Sequence, residues 1–238
     1  MPPISPLPVP REAAGVVLFG GSFDPPHRWH VVVAKAASRE LFGNDGWVVV
    51  VPAAQSPFKE RGPQAEDEHR LAMLRLAFEG VERTIIWTDE IDRAAWVRTR
   101  ATKPPPSYTI ETVERLHTAL GTGVRCRLLL GADQAVRFHE WRESGRLLCE
   151  AEPVVVLRPP IATREALSAS LKSARVWRDA EVEAWLNRVI DVPMQAVSST
   201  ELRAALRGSV GSTRNLSLDG MIDPRVREYI EQHELYRT

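Results

Sequence analysis

The segment VVLFGGSFDPPHRWH, residues 16–30, places two glycines, a serine and two histidines within a short stretch. Gly20 and Gly21 follow an apolar run, and two prolines precede His27 and His30. This order predicts a strand, a tight loop and the first turn of a helix. Glycine permits positive φ and close approach to the backbone, and the N–H groups of a helix N-terminus attract anions. The pattern therefore predicts polyphosphate binding.

The two histidines also allow other interpretations. Residues three apart share one face of a helix, so His27 and His30 could form a metal pair or be surface residues without a role. Zinc is the lesser option, because the neighbouring residues do not complete a ligand set. On spacing alone the phosphate interpretation stays a hypothesis.

A second candidate for phosphate binding is VSSTELR, residues 197–203. A serine or threonine cap followed by Glu201 predicts a helix start. Ser199, Thr200 and Arg203 would then bring hydroxyls, amides and a guanidinium together, which suits phosphate oxygens. An ordinary N-cap with a surface arginine is the alternative.

Three further features suit a charged small molecule. In PPSYTIET, residues 105–112, Ser107 or Thr109 is expected to cap a helix whose N-terminus would attract a carboxylate. Asp133 follows a buried strand at the edge where a nucleotide should lie. Lys59 lies in a proline-flanked loop and could reach phosphates as a point charge. Plain capping and a solvated surface lysine are the alternatives.

Short apolar runs that alternate with helical patterns position these residues. The predicted strands cover residues 15–19, 47–52, 83–88, 125–131 and 153–158. The predicted helices cover residues 27–42, 66–79, 109–120, 140–150, 163–173, 180–190, 198–207 and 223–236. This order predicts an α/β fold with a doubly wound parallel sheet and a helical C-terminal portion. Residues 192–197 could form a last strand, and residues 89–107 are interpreted as a long loop or edge excursion.

Composition limits the classes of function. The chain has 238 residues and a formal net charge of +0, so no global field draws it to nucleic acid or an anionic membrane. Its two cysteines form no disulfide framework, and we see neither a signal peptide nor a membrane-length apolar run. A cytoplasmic location is expected, and the oligomeric state is left open, a homo-oligomer included.

The domain organisation follows from the same patterns. Residues 1–12 are proline-rich and are predicted to be an extended arm outside the core. Residues 13–238 are predicted to form one domain, with a Rossmann-like core over 13–158 and a mostly helical part over 159–238.

Several motifs in order resemble one enzyme family. GGSFDPPHRWH is similar to the Gly-Gly-Thr/Ser-Phe-Asp-Pro-x-His-x-Gly-His signature of the nucleotidylyltransferase superfamily. More narrowly, the chain resembles bacterial nicotinate-mononucleotide adenylyltransferases. The other stretches that carry the resemblance are VPAAQSPFKERG, HRLAMLRLAF, PPSYTIETVERL, LLLGADQAVRFHEWRE, VVVLRPP, VSSTELR and VREYIEQHELY.

The resemblance implies adenylyl transfer from ATP, with Mg²⁺ bound to it, to nicotinate mononucleotide, with release of pyrophosphate. It implies catalytic roles for His27, His30 and Arg203. The implied ATP and phosphate site comprises Gly20, Gly21, Ser22, Lys59, Ser199, Thr200 and Arg203. The implied acceptor and substrate site comprises Phe23, Ser107, Tyr108, Thr109, Asp133, Trp141 and Arg158. In it the carboxylate would lie at residues 107–109 and the pyridine ring on Trp141, for which core packing is the alternative.

Two residues depart from the family pattern. Trp29 replaces the glycine between the histidines, and Phe58 replaces the histidine before Lys59. In the family the glycine lets adenine lie close to the helix, so Trp29 is expected beside the adenine pocket. A different phosphorylated acceptor, or a weakly active or inactive nucleotide-binding homologue, is therefore kept as an alternative.

Overall fold

A computed structural model describes residues 2–55, 62–100, 106–121, 123–192, 198–208 and 220–237. These residues form a five-stranded parallel sheet with the order β3-β2-β1-β4-β5. The strands are β1 (Gly15–Gly21), β2 (Gly46–Pro52), β3 (Thr84–Ile86), β4 (Cys126–Gly131) and β5 (Glu152–Val156). Both faces are covered, which explains why the strands are apolar throughout rather than alternating. The predicted strands and the doubly wound α/β class are confirmed.

Helices connect and cover the strands. They are α1 (Arg28–Phe42), α2 (Asp67–Ala77), α3 (Asp89–Arg98), α4 (Thr109–Leu120), α5 (Ala132–Val136), α6 (Ser144–Glu150), α7 (Arg164–Ser173), α8 (Asp179–Asn187), α9 (Ser199–Gly208) and α10 (Pro224–Gln232). The helix predicted from residue 140 begins at Ser144, because a 3₁₀ turn occupies residues 138–140. The predicted strand at 192–197 lies almost wholly outside the described residues.

The sheet reverses its winding direction at β1. One neighbour of β1 is β2, with Gly20 opposite Val51, and the other is β4, with Leu18 opposite Leu128. In such sheets the carboxyl ends of the strands on either side of the reversal leave a crevice that binds ligands. The predicted site residues follow these strand ends.

Residues 89–98 are helical, so the prediction of a loop or edge excursion is wrong for this part of the segment. Helix α3 has few apolar positions, but it buries Ile91 and Ala94 in a small cluster with Ala54. Acidic residues fill its first turn, where a helix N-terminus favours them. Residues 101–105 lie outside the described part.

The N-terminal segment is irregular, but the prediction that it lies outside the core is wrong. Val9 is 7% exposed and belongs to the main core cluster. The Trp87 Nε1–H donates to the Ser5 carbonyl at 3.1 Å, and the Ser5 amide donates to Asp89 at 3.2 Å. Arg115 donates to the carbonyls of Pro2 and Pro3. Prolines leave their carbonyl oxygens free, so side chains from the domain can bind the segment.

Among the described residues, no helix has the length and apolar character that a membrane crossing requires.

Candidate active site

A cavity of ≈ 590 Å³ lies at the carboxyl ends of β1, β4 and β5. Every predicted site residue that the structure describes lines this cavity, except His27. Lys59 and Phe58 lie outside the described residues. The lining residues are Gly20, Gly21, Ser22, Phe23, His30, Ser107, Tyr108, Thr109, Asp133, Trp141, Arg158, Ser199, Thr200 and Arg203, together with others discussed below.

The two glycines of the first loop complete β1, and neither adopts the positive φ that the sequence suggested. Positive φ occurs instead at Phe23, at 47°. A Cβ at Gly20 would meet nothing within 4 Å, so its backbone is open to the cavity. A Cβ at Gly21 would press on the Phe23 ring at 3.0 Å. Gly20 therefore gives a ligand access, whereas Gly21 makes room for Phe23.

His27 and His30 form a stacked pair at the start of α1. His27 is the N-cap residue rather than part of the first turn, and its ring lies 3.6 Å from that of His30, centroid to centroid. The His27 amide donates to His30 Nδ1 at 3.1 Å. A neutral His30 ring therefore carries its proton on Nε2, and that nitrogen is a hydrogen-bond donor.

Both imidazoles are neutral near pH 7. Burial and the charge of Arg158 lower the pKa of His27 to about 3. Burial lowers the pKa of His30 well below its usual value, and His27 and Arg158 lower it further. Stacked rings cannot easily share a charge, so His30, the member of the pair that lines the cavity, offers a neutral N–H donor to an anion.

Asp24 joins the first loop to three distant segments. Its carboxylate is buried and accepts from the Gln64 amide at 2.7 Å, the Ala65 amide at 3.2 Å and the Tyr236 hydroxyl at 2.6 Å. Its backbone carbonyl accepts from Arg203 Nη1 at 2.5 Å. The loop after β1 is thus fixed to the segment before α2, to α9 and to the C-terminal residues.

Helix α9 begins at the cavity, as predicted. Ser198 is bound to the Glu201 carboxylate through both its amide and its hydroxyl, and the Glu201 amide donates back to Ser198 Oγ. The Ser199 hydroxyl donates to the Pro25 carbonyl at 2.9 Å, so its amide rather than its hydroxyl is available to a phosphate. Arg203 Nη2 donates to Thr200 Oγ1 at 3.3 Å, which leaves the Thr200 hydroxyl proton free to donate outward.

Arg203 carries an unused donor. Its Nε is buried and has no hydrogen-bond partner among the described residues. A buried guanidinium N–H without a partner is costly, so Arg203 Nε is available to an acceptor on a ligand in the cavity that Arg203 lines.

The N-terminus of α4 forms the opposite end of the cavity. Tyr108 is the N-cap residue and makes no side-chain cap, so the prediction of a Ser107 or Thr109 cap is wrong. The Ser107 hydroxyl instead hydrogen-bonds to Glu90, and its amide donates to the Gln55 carbonyl at 3.0 Å. The first amides of α4, which have no partner within the helix, therefore adjoin the cavity without a side chain over them.

Aromatic side chains flank this end. The Trp141 ring packs on Phe138 at 5.3 Å between centroids and stays partly exposed at the cavity wall. The Arg142 guanidinium lies over the Tyr108 ring at 4.7 Å. A partly exposed indole face can stack on a flat ring. Core packing therefore accounts for only one face of Trp141.

Asp133 and Arg158 form an ion pair of 2.9 Å where β4 and β5 end. Gln134 donates to Asp133 at 3.0 Å, and Arg158 lowers the pKa of the Asp133 carboxyl. A Cβ on Gly131 would lie 2.6 Å from Asp133 and 2.9 Å from Arg158. A larger residue at this position would push the ion pair away from the end of β4.

The sequence matches the cytidylyltransferase-like family over residues 18–205. The chain belongs to this family. It is 30% identical over 231 residues to a probable nicotinate-nucleotide adenylyltransferase of Chromobacterium violaceum, covering 94% of this chain and 99% of that protein. Identity to the probable nicotinate-nucleotide adenylyltransferase of Bordetella petrii is 31%, and the match covers 92% of this chain and 97% of that protein. The resemblance to these adenylyltransferases, and with it an enzyme of the nucleotidyltransferase class, is confirmed.

Solved structures support the fold. The nicotinic acid mononucleotide adenylyltransferase of Plasmodium falciparum, complexed with NaAD, superposes with a TM-score of 0.62 at 19% identity. The superposition covers 93% of this chain and 97% of that one. The arrangement of sheet and helices is therefore that of the family.

Trp29 stands where the family signature has glycine. Its side chain is 3% exposed and packs in the cluster that contains Phe23 and Val33. It also lines the cavity, and its Nε1 is buried without a partner in the described part of the chain. The indole thus belongs to the cavity wall. That it lies beside the adenine pocket stays a prediction.

Sequence reasoning missed several lining residues. Asp24 stands within the first motif, but its partners come from positions that no local pattern connects. Glu90 was overlooked because residues 89–107 were interpreted as a loop. Thr112, Gln134 and Arg142 carried no signal beyond their closeness to quoted motifs.

The neutral histidines predict a specific loss of stability in acid. An unfolded histidine has a pKa near 6.5, whereas that of folded His27 is about 3, so below pH 6.5 the unfolded chain binds the extra proton. The free energy of unfolding should therefore fall as the pH decreases from 6.5 towards 3. Between pH 7 and pH 5, His27→Asn should lose less stability than the wild type, by about 2 kcal/mol.

Urea denaturation at the two pH values measures this difference. His117→Asn, on α4 and away from the cavity, is the matched control and should follow the wild type. Equal losses in wild type and His27→Asn would contradict the assignment of a neutral buried His27.

Proposed function

We propose that this enzyme transfers the adenylyl group of ATP to nicotinate mononucleotide, giving nicotinate adenine dinucleotide and pyrophosphate. One observation carries the proposal. One cavity lies where the sheet reverses its winding direction. At one end it has hydrogen-bond donors that suit phosphate oxygens, and at the other it has a helix N-terminus beside a partly exposed tryptophan. The names of the relatives support the same reaction.

The triphosphate would lie between β1 and α9. His30 Nε2, the Arg203 guanidinium and the Thr200 hydroxyl supply donors, and Gly20 leaves the backbone accessible. These groups are fixed before ATP arrives, so they stabilise developing charge without reorganising. Arg203 would hold the β- and γ-phosphates, which leave as pyrophosphate.

The acceptor would lie at the α4 end. The nicotinate carboxylate would receive hydrogen bonds from the first amides of α4, near Tyr108 and Thr109. The pyridine ring would stack on Trp141, and the pair of Asp133 and Arg158 would contact the sugar and phosphate region between the two substrates.

The reaction needs no general base. A phosphate oxygen of the mononucleotide, already anionic at neutral pH, attacks the α-phosphorus of ATP. The bond between this phosphorus and the bridging oxygen to the β-phosphate breaks, and pyrophosphate leaves in line. Catalysis then consists of positioning and charge stabilisation.

Mg²⁺ would neutralise triphosphate charge when bound. Within the described residues, no group of three histidine, cysteine or acidic side chains could hold a metal ion. The donors at the phosphate end are N–H and O–H groups that suit phosphate oxygens, so the ion would be held by those oxygens and water. We also propose a cytoplasmic location, in keeping with the free thiols of Cys126 and Cys149.

Pyrophosphate release from ATP tests the function. With nicotinate mononucleotide the enzyme should release pyrophosphate and form the dinucleotide, and other phosphorylated acceptors should be slower. Turnover with a non-pyridine acceptor alone would overturn the choice of substrate. Nucleotide binding without turnover would indicate an inactive homologue. Trp29, which replaces the glycine of the family signature, would then be the first residue to test as the cause.

Loss of His30 should impair turnover rather than folding. His30→Ala removes one fixed donor to the triphosphate, and kcat should fall by a factor on the order of 10² to 10³. Arg203→Ala should mainly raise the KM for ATP. Assays of pyrophosphate release at fixed times measure kcat and the KM for ATP of both variants, and thermal unfolding checks that they are folded. A His30→Ala variant with wild-type kcat would remove the histidine from the mechanism.

A further inference from the structure

Glu90 is a buried carboxyl group in the cavity wall, and the reaction described above gives it no role. It lies in the first turn of α3 and is 7% exposed. It lines the cavity at the same end as Tyr108, Thr109 and Trp141. An acid is therefore built into the wall where an anionic pyridine substituent is expected.

Two hydroxyls at the start of α4 are committed to this carboxyl group. Thr112 Oγ1 donates to Glu90 Oε1 at 2.7 Å, while Arg93 Nη2 donates to Thr112 Oγ1 at 2.9 Å. The Ser107 hydroxyl also hydrogen-bonds to Glu90. Each hydroxyl has one proton, so neither can donate to a ligand at the same time. A carboxylate in the cavity is thus left to the amides of the helix.

Glu90 has no dedicated ion-pair partner among the described residues. In the described part of the chain, no ion pair joins Glu90 to an arginine or lysine. Its neighbour Asp89 is paired with Arg93 at 3.2 Å and with Arg115 at 2.7 Å. Arg93 also binds Glu111 at 2.8 Å, so its charge is shared among several acids. Burial raises the pKa of Glu90, although Thr112, Arg93 and Ser107 lower it.

Other charges nearby belong to α4 and the loop before α6. Arg142 is bound to Glu111 at 3.3 Å. Asp133 is held by Arg158 at the end of β4. Among the groups around the acceptor end, Glu90 is the acid without a counter-ion in the described structure.

We propose that Glu90 determines the preference between acidic and amide forms of the pyridine acceptor. This inference rests on the proposed function. An ionised Glu90 repels the carboxylate of a nicotinate form, and it accepts a hydrogen bond from the amide group of a nicotinamide form. A protonated Glu90 removes the repulsion and can donate to the carboxylate. Glu90 thus counteracts the attraction of the α4 N-terminus and makes the preference depend on pH.

The sign of the pH effect follows. As the pH rises through the pKa of Glu90, the affinity for the nicotinate form should fall relative to that for the nicotinamide form. The acceptor phosphate also titrates, with a second pKa near 6, but it does so in both acceptors. The ratio of the two affinities therefore reports the titration of Glu90 in the cavity wall rather than the titration of the acceptor phosphate.

Calorimetry with nicotinate mononucleotide and nicotinamide mononucleotide at pH 6 and pH 8.5 tests the proposal. In the wild type, the ratio of affinities, acid over amide, should be lower at pH 8.5 than at pH 6. At pH 8.5 it should lie about tenfold below the ratio of Glu90→Gln, which corresponds to about 1.4 kcal/mol. Glu90→Gln keeps an oxygen for Thr112 and should give a high ratio that does not change with pH. Glu114→Gln removes a negative charge from the same helix, where Glu114 is paired with Arg146 and does not line the cavity, and should behave like the wild type.

Each outcome decides. A Glu90→Gln variant with the pH dependence of the wild type, an equal change for both acceptors, or no binding of either acceptor would overturn the role of Glu90. Pyrophosphate release in the same samples tests the function separately. Binding with the expected ratio but without pyrophosphate release would support Glu90 while refuting the adenylyl transfer.

Discussion

The site depends on one buried carboxylate. Asp24 follows the central strand and accepts hydrogen bonds from Gln64, Ala65 and Tyr236, while its carbonyl accepts from Arg203. A buried carboxylate without donors would be strongly unfavourable, so the four segments that supply and surround these groups fold as a set. The cavity is a consequence, because the first loop and the start of α9 enclose it only when both are attached to Asp24.

This constraint explains how neutral groups can serve a highly charged ligand. The two histidines are buried by the same packing, and burial with the charge of Arg158 keeps them unprotonated. The N–H group of His30 and the Arg203 guanidinium are therefore fixed in direction before a ligand binds. Oriented dipoles stabilise developing charge more effectively than mobile ones. In the proposed function, the opposite end of the cavity relies on helix amides instead.

Much of the fold was predictable because parallel strands buried on both faces read as continuous apolar runs, and β1, β2, β4 and β5 all do. The predicted phosphate-binding residues lie together in the structure because they come from two short motifs, and their role stays a prediction. Helix α3 was not, since Ile91 and Ala94 are too few to reveal its period. The docked N-terminal segment depends on Arg115 and Trp87, which lie far along the chain. The neutral state of His27 and the partners of Asp24 likewise arise only from tertiary packing, which local patterns do not encode.

Tyr236→Phe tests most directly whether Asp24 positions the phosphate donors. Tyr236 does not line the cavity, and its hydroxyl donates to the Asp24 carboxylate at 2.6 Å. A folded Tyr236→Phe variant is expected to bind ATP about tenfold more weakly by calorimetry, about 1.4 kcal/mol, while its affinity for the pyridine mononucleotide is unchanged. Wild-type affinity for ATP in that folded variant would show that Asp24 does not position these groups.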